Sequence, residues 1–113
     1  MLRSTVFLIY NFLTLQSGDT ALHLATREGL LVIAQSLCAF GCSVDLPNTE
    51  GQYPLHLAAK NGHMEIVRCL CLAGCKTDAK NKDGLTPDIS ALANGHQDIC
   101  ELLKRLKRVR TMI

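Results

Sequence analysis

Residues 51–62 read GQYPLHLAAKNG, and this stretch decides the fold because it recurs at a constant spacing. The segments 18–29 (GDTALHLATREG) and 84–95 (GLTPDISALANG) start 33 residues before it and 33 residues after it. Each copy begins and ends with glycine, and the first two share a Leu-His-Leu-Ala core. A period of this length is typical of repeat proteins, in which each unit is one supersecondary element stacked on its neighbours.

Capping and helix-ending residues predict two helices in each copy. Thr20 and Thr86 are of a type that caps a helix start through the side-chain oxygen. Pro54 and Pro87 suit the first helical position, where a missing N–H costs nothing. Gly62 suits the positive φ that ends a helix. A second helix is predicted by apolar side chains that share one face: Ile66, Val67, Leu70 and Cys71.

This pattern resembles the ankyrin repeat, whose signature is T-P-L-H-x-A with a period of 33. The resemblance covers residues 17–107 and implies repeats at 17–49, 50–82 and 83–107. It implies an all-α solenoid of three helix-turn-helix repeats joined by hairpin loops. Each helix pair is too small to bury its apolar stripe alone, so we expect the repeats to stack.

The resemblance also implies a function, because ankyrin repeats bind other proteins through their hairpin tips and the concave face of their first helices. Among the implied contacts, Leu85 is an apolar anchor, and Arg27 and Tyr53 are of the types that dominate protein interfaces. The expected partner-binding residues are Asp19, Arg27, Glu28, Thr49, Glu50, Gln52, Tyr53, Lys60, Asn61, Lys80, Lys82, Asp83 and Leu85. We therefore expect a protein-interaction module that is part, or a short form, of a larger scaffold or regulatory protein.

Composition and motifs argue against other classes of function. The 113 residues contain no nucleophile elbow, phosphate-binding glycine loop or H-E-x-x-H motif, so we expect no enzymatic activity, cofactor or small-molecule substrate. A net charge of +2 is too small to predict nucleic-acid binding, and no apolar run is long enough to span a membrane. A length of 113 residues allows one domain at most, and a hydrophobic content of 48% predicts that it is globular. Because we expect its thiols to be reduced, we expect a cytoplasmic or nuclear protein.

Six cysteines and four histidines leave a metal- or redox-responsive protein open as the alternative. Against it, no C-x-x-C pair occurs, and most cysteines occupy apolar helical positions that a reduced thiol fills well. We expect no metal site. His23 and His56 are expected to bond neighbouring backbone and to link one repeat to the next, although Tyr53 replaces the capping threonine beside His56 and leaves that bond in doubt.

The two ends of the chain depart from the repeat pattern. Residues 1–16 are apolar, with Arg3 as their single charge. They suit a secretory signal, a helix covering the first repeat, or sequence read through a splice acceptor and not natively coding. At the other end, residues 108–113 are expected to form a basic tail. The basic run 104–110 suits either a helix-end cap or a localisation or acidic-surface signal. Asp88 and Ser90 replace two leucines of the second copy, which predicts a polar terminal cap.

Overall fold

The computed structural model describes residues 18–112, with side chains described through residue 110. The predicted segment 1–16 lies outside this range. The described residues contain no strand, and their α-helices are α1 (Ala21–Glu28), α2 (Leu31–Ala39), α3 (Pro54–Lys60), α4 (Met64–Leu72), α5 (Pro87–Ala93) and α6 (Gln97–Met112). Two helices fall in each 33-residue unit, which confirms the expected all-α architecture.

The first helices of the three pairs start by two devices, a threonine cap in α1 and a proline in α3 and α5. Thr20 caps α1 as predicted, since its side chain accepts a hydrogen bond from the backbone N–H of His23 at 3.2 Å. Pro54 and Pro87 occupy the first turns of α3 and α5, also as predicted. The prediction for Thr86 was wrong, because its side chain makes no capping bond.

The hydroxyl of Thr86 donates instead to the carboxylate of Asp88, two residues further along. In α1, by contrast, the residue three positions after the cap is His23, whose Nδ1 lies 2.8 Å from the Thr20 hydroxyl. Ile89 occupies that position in α5 and offers no polar group. The Thr86 hydroxyl is thus oriented toward Asp88, and its oxygen accepts no bond from a backbone N–H at the start of α5.

The core lies between two rows of helices. Helices α1, α3 and α5 pack side by side, each also packs on the second helix of its own repeat, and α2 packs on α4. The fully buried large side chains come from both rows: Leu22 and Leu55 from the first helices, and Leu37, Ile66, Val67, Leu70, Ile99 and Leu103 from the second helices. Every repeat thus contributes to one continuous apolar layer.

Glycine and histidine set how closely consecutive repeats approach. A Cβ on Gly29 would lie 2.7 Å from Cε1 of His63, and a Cβ on Gly62 would lie 2.6 Å from Cε1 of His96. Each imidazole therefore fits only where the preceding repeat lacks a side chain. This contact gives Gly29 and Gly62 the same role in two successive repeats.

The third repeat differs from the other two in its second helix. Gly41 and Gly74 follow α2 and α4, whereas Lys107 stands at the corresponding position in α6. Without that glycine, α6 continues to Met112, so residues 108–112 are helical and not a tail separate from the helix.

The sequence predicts a polar cap at the C-terminal end of the stack, and the observed end differs from it. Asp88 and Ser90 are buried, while Ile89 and Leu92 are exposed. The carboxylate of Asp88 is not solvated, because Nζ of Lys107 lies 2.8 Å from its Oδ1. The two polar residues thus tie α5 to α6, and the expected cap is wrong in its detail.

Candidate interaction surface

Two asparagines that the sequence analysis did not select organise the loop tips. Oδ1 of Asn48 accepts hydrogen bonds from the backbone N–H groups of Glu50 and Gln52, at 3.0 and 2.9 Å. Asn81 makes the equivalent two bonds in the next loop, both at 3.0 Å. A signal was present in the sequence, since each asparagine lies three residues before one of the phased glycines.

The same asparagines join each tip to the preceding repeat. Nδ2 of Asn48 donates to Oδ1 of Asp19 at 2.8 Å. Nδ2 of Asn81 donates to Oε1 of Gln52, the residue that corresponds to Asp19, at 3.2 Å. The loops are therefore held in a ladder of side-chain hydrogen bonds along the stack, and we call this series of contacts the asparagine ladder.

The carboxylate of Asp19 bonds other residues of the protein, although Asp19 is among the residues predicted to bind a partner. It is only 8% exposed, and its Oδ2 lies 2.8 Å from the guanidinium of Arg27. Burial alone would raise the pKa of Asp19, but hydrogen bonds from Arg27 and Asn48 outweigh burial and lower it. The carboxylate is thus charged at neutral pH and already engaged within the protein.

The other predicted residues fall into two groups by exposure. Four are half-buried: Arg27, Gln52, Tyr53 and Leu85. Eight are exposed: Glu28, Thr49, Glu50, Lys60, Asn61, Lys80, Lys82 and Asp83. The exposed set lies on the loop tips and on the C-terminal ends of α1 and α3, and we call it the tip-and-helix surface.

The predicted apolar and aromatic anchors are partly engaged within the stack. Leu85 is half-buried, and its carbonyl oxygen lies 2.8 Å from Nε2 of His56. The ring of Tyr53 lies with its centroid 5.7 Å from that of His56. Each keeps part of its side chain at the surface, beside the charged residues of the loop tips.

His23 and His56 make equivalent hydrogen bonds, although Tyr53 stands beside His56 where a threonine stands beside His23. The backbone N–H of Tyr53 donates to Nδ1 of His56 at 3.1 Å, so this bond does not depend on a threonine side chain. Because Nδ1 accepts, Nε2 carries the proton and donates to the carbonyl of the next repeat, Leu85 for His56 and Gln52 for His23. Burial lowers the pKa of both imidazoles. They serve as neutral links between repeats.

The thiols are all free. Cys75 and Cys100 are buried, and the other four are half-buried. Burial is the main cause that raises the pKa of Cys38 to about 12, with Cys69 as a second cause. Within the described residues, no three His, Cys, Asp or Glu side chains are grouped so that they could hold a metal ion. The metal- or redox-responsive alternative thus gains no support.

Arg110 lines two shallow depressions beside α6. Its guanidinium donates to the carbonyl of Cys75 at 2.8 Å, which brings the extended end of α6 against the end of α4. One depression, of about 250 Å³, lies between α4 and α6, and the other, of about 500 Å³, lies against the loop after α4. None of the predicted partner-binding residues lines either depression.

The sequence of the chain is similar to a known family of repeat proteins. A family model of ankyrin repeats matches residues 22–110 as three copies. The chain belongs to the ankyrin repeat family. This ankyrin stack has three repeats, as the sequence predicted, and proteins of the family are generally modules for protein–protein interaction and typically not enzymes. No curated protein matches the chain. None of the helices among residues 18–112 is long and apolar enough to cross a membrane.

Proposed function

We propose that this ankyrin protein binds a protein partner through the tip-and-helix surface, without enzymatic activity. The asparagine ladder is the observation that carries the proposal. It fixes the two loop tips relative to the helices behind them while the side chains of Thr49, Glu50, Lys82 and Asp83 remain exposed. A surface held in place before binding loses less conformational entropy when a partner docks.

The charges of this surface indicate what the partner must offer. The first tip carries Glu50, and the second tip carries two basic residues, Lys80 and Lys82, and one acidic residue, Asp83. The two tips are adjacent, since the backbone N–H of Lys82 lies 3.5 Å from the carbonyl oxygen of Glu50. A partner that fits presents a basic group to the first tip and acidic groups to the second, which gives specificity more than raw affinity.

Two half-buried side chains at the edge of the surface complete it. Tyr53 and Leu85 keep part of their apolar area accessible between the charged tips. A partner side chain placed over them would bury apolar area and exclude water from the centre of the contact, as the side chains around interface hot spots do. We also propose a cytoplasmic or nuclear location and a role within a larger scaffold or regulatory protein. Free thiols suit a reducing compartment, and the family generally serves as interaction modules.

The test is a comparison of proteins captured from cytosol by the full chain and by charge-reversed variants. Lys60→Glu with Lys82→Glu reverses two exposed charges of the surface, and we expect the specifically captured proteins to be lost. The matched control is Lys104→Glu with Arg105→Glu, which reverses two exposed charges on α6, away from the surface. Equal capture by both variants and the parent would show that the tip-and-helix surface is not the binding site.

A further inference from the structure

The second helix of the first repeat carries an apolar face that its counterparts do not expose. Ile33, Ile66 and Ile99 occupy the same position in three successive repeats, 33 residues apart. Ile66 is 2% exposed and Ile99 is 1% exposed, whereas Ile33 is 37% exposed. Ile66 and Ile99 belong to repeats that follow another repeat in the stack. Within residues 18–112, no helix precedes the first repeat, to which Ile33 belongs. The exposure of Ile33 is thus what an uncovered stacking face predicts.

The position of Leu30 shows that this face lies on the N-terminal side of the stack. Leu30 corresponds to His63 and His96, whose rings lie against the glycines that end the first helices of the preceding repeats. Nε2 of His63 also lies 3.2 Å from the carbonyl oxygen of Arg27 in the preceding repeat. At this position the first repeat has leucine, 44% exposed, in place of a polar ring. The substitution suits an apolar neighbour on the N-terminal side of the stack.

A suitable neighbour is joined to the first repeat by the chain itself. Residues 5–15 read TVFLIYNFLTL and contain no charge, and only residues 16 and 17 separate them from Gly18. Three Cα–Cα steps join residue 15 to Gly18 and span at most about 11 Å, so the C-terminal end of the segment is tethered near the start of α1. A short tether gives an effective concentration on the order of millimolar, which a separate molecule rarely matches.

We propose that the apolar segment 5–15 docks on the face formed by Leu30 and Ile33 and takes the place of a preceding repeat. The segment lies outside the described residues, and the proposal rests on the uncovered face, the missing polar group at position 30 and the composition of the segment. Burial of the two side chains removes exposed apolar surface from the end of the stack, where repeat proteins need a cap to remain soluble.

The chief rival occupant is a second copy of the chain. Ile89 and Leu92 are exposed at the opposite end of the stack, 46% and 52%, so two copies could stack head to tail. The two arrangements differ in their dependence on concentration. A tethered segment stays bound on dilution, whereas a head-to-tail contact is lost.

A tryptophan placed in the segment tests the proposal, because the natural chain contains none. In the full chain, Phe7→Trp and Phe12→Trp are made separately. We expect blue-shifted emission and weak acrylamide quenching for at least one of them, unchanged on dilution. Emission typical of a fully exposed tryptophan in both variants would overturn the proposal, as would burial that disappears on dilution together with a dimer seen by light scattering.

Second substitutions in the same proteins identify the face. Leu30→Asp and Ile33→Asp are each expected to release the tryptophan, with a red shift and quenching like that of a free indole. Val32→Glu is the matched control, because Val32 is 73% exposed and Glu65 occupies its position in the second repeat. Circular dichroism establishes that helicity is retained. If Ile33→Asp unfolds the stack, Leu30→Asp decides, and tryptophan emission unaffected by Leu30→Asp would refute docking at this face.

Discussion

Gly29 and the imidazole of His63 are in such close contact that the glycine could not carry a side chain without moving the ring. A methyl group on Gly29 would lie 2.7 Å from Cε1 of His63. The backbone of Gly29 also has a φ of +74°, which favours glycine on its own account. One residue therefore ends the first helix and sets the distance between two repeats.

Replacement of Gly29 by alanine is expected to destabilise the stack more than the same change at Gly41. Gly41 also has a positive φ, +83°, but no atom lies within 4 Å of its missing Cβ. Gly41→Ala should lower the free energy of unfolding by about 1–2 kcal/mol through backbone strain alone. Gly29→Ala should cost about 1–3 kcal/mol more, because the ring of His63 must shift. Urea unfolding followed by circular dichroism measures both, and an equal loss in the two variants would contradict a tight glycine–histidine contact.

Stability is expected to fall when the pH drops below about 6.5. Burial lowers the pKa of His23 and His56 from the ordinary value of 6.5, so below that value the unfolded chain binds more protons than the folded one. The free energy of unfolding contributed by these groups is present above pH 6.5 and is lost as the pH falls below it. Unfolding by urea at a series of pH values measures the slope.

The matched variant for this prediction is the pair His23→Gln and His56→Gln. Glutamine can still bond neighbouring backbone but does not titrate, so the double variant should be less stable at neutral pH and show a smaller slope between about pH 7 and 5. A slope equal to that of the parent would mean that other groups cause the pH dependence.

The repeat architecture could be predicted from the sequence because its signals are local and occur three times. Gly29, Gly62 and Gly95 mark the ends of the first helices through their own backbone preference, and Pro54 and Pro87 mark two of the starts. These preferences act within a few residues and need no knowledge of tertiary contacts. The period then supplied the arrangement, because units of equal length that cannot bury their apolar faces alone have to stack.

What the sequence could not predict depends on contacts between repeats. Asp19 is among the residues that the sequence predicts to bind a partner, yet Arg27 and Asn48 enclose its carboxylate. Asp88 was expected at a solvated cap, but Lys107 reaches it from 19 residues further along the chain. In both cases the partner is set by the packing of neighbouring helices and loops, which residue type and spacing do not specify.

Asp19→Ala is expected to destabilise the protein, and any loss of partner binding should follow from that destabilisation. The substitution leaves Nδ2 of Asn48 and the guanidinium of Arg27 without the carboxylate they bond, at a cost of about 1–3 kcal/mol. The low pKa of Asp19 has a second consequence: its stabilising contribution is present above the ordinary pKa of 3.8 and is lost as the pH falls through its folded value. Glu28→Gln is the control, because Glu28 is exposed and its neutralisation should change stability by less than about 0.5 kcal/mol. Thermal unfolding of the two variants and the parent measures the difference, and equal stability would mean that the Asp19 contacts contribute little.

Arg110→Ala is expected to loosen the contact between α6 and the end of α4. The guanidinium of Arg110 donates to the carbonyls of Cys75 and Cys71, at 2.8 and 3.4 Å, and so places a positive charge at the C-terminal end of α4, where the helix dipole favours it. Because the side chain is exposed, the expected loss is only about 0.5–1 kcal/mol. Arg108→Ala removes an exposed charge from the same helix and should have a smaller effect. The measurement is hydrogen exchange of the α4 amides together with the unfolding midpoint at low and high salt. If Arg110 caps α4, exchange is faster in Arg110→Ala alone, and the difference from the parent shrinks with salt. Identical exchange in both variants would show that residues 108–112 merely extend α6 into solvent.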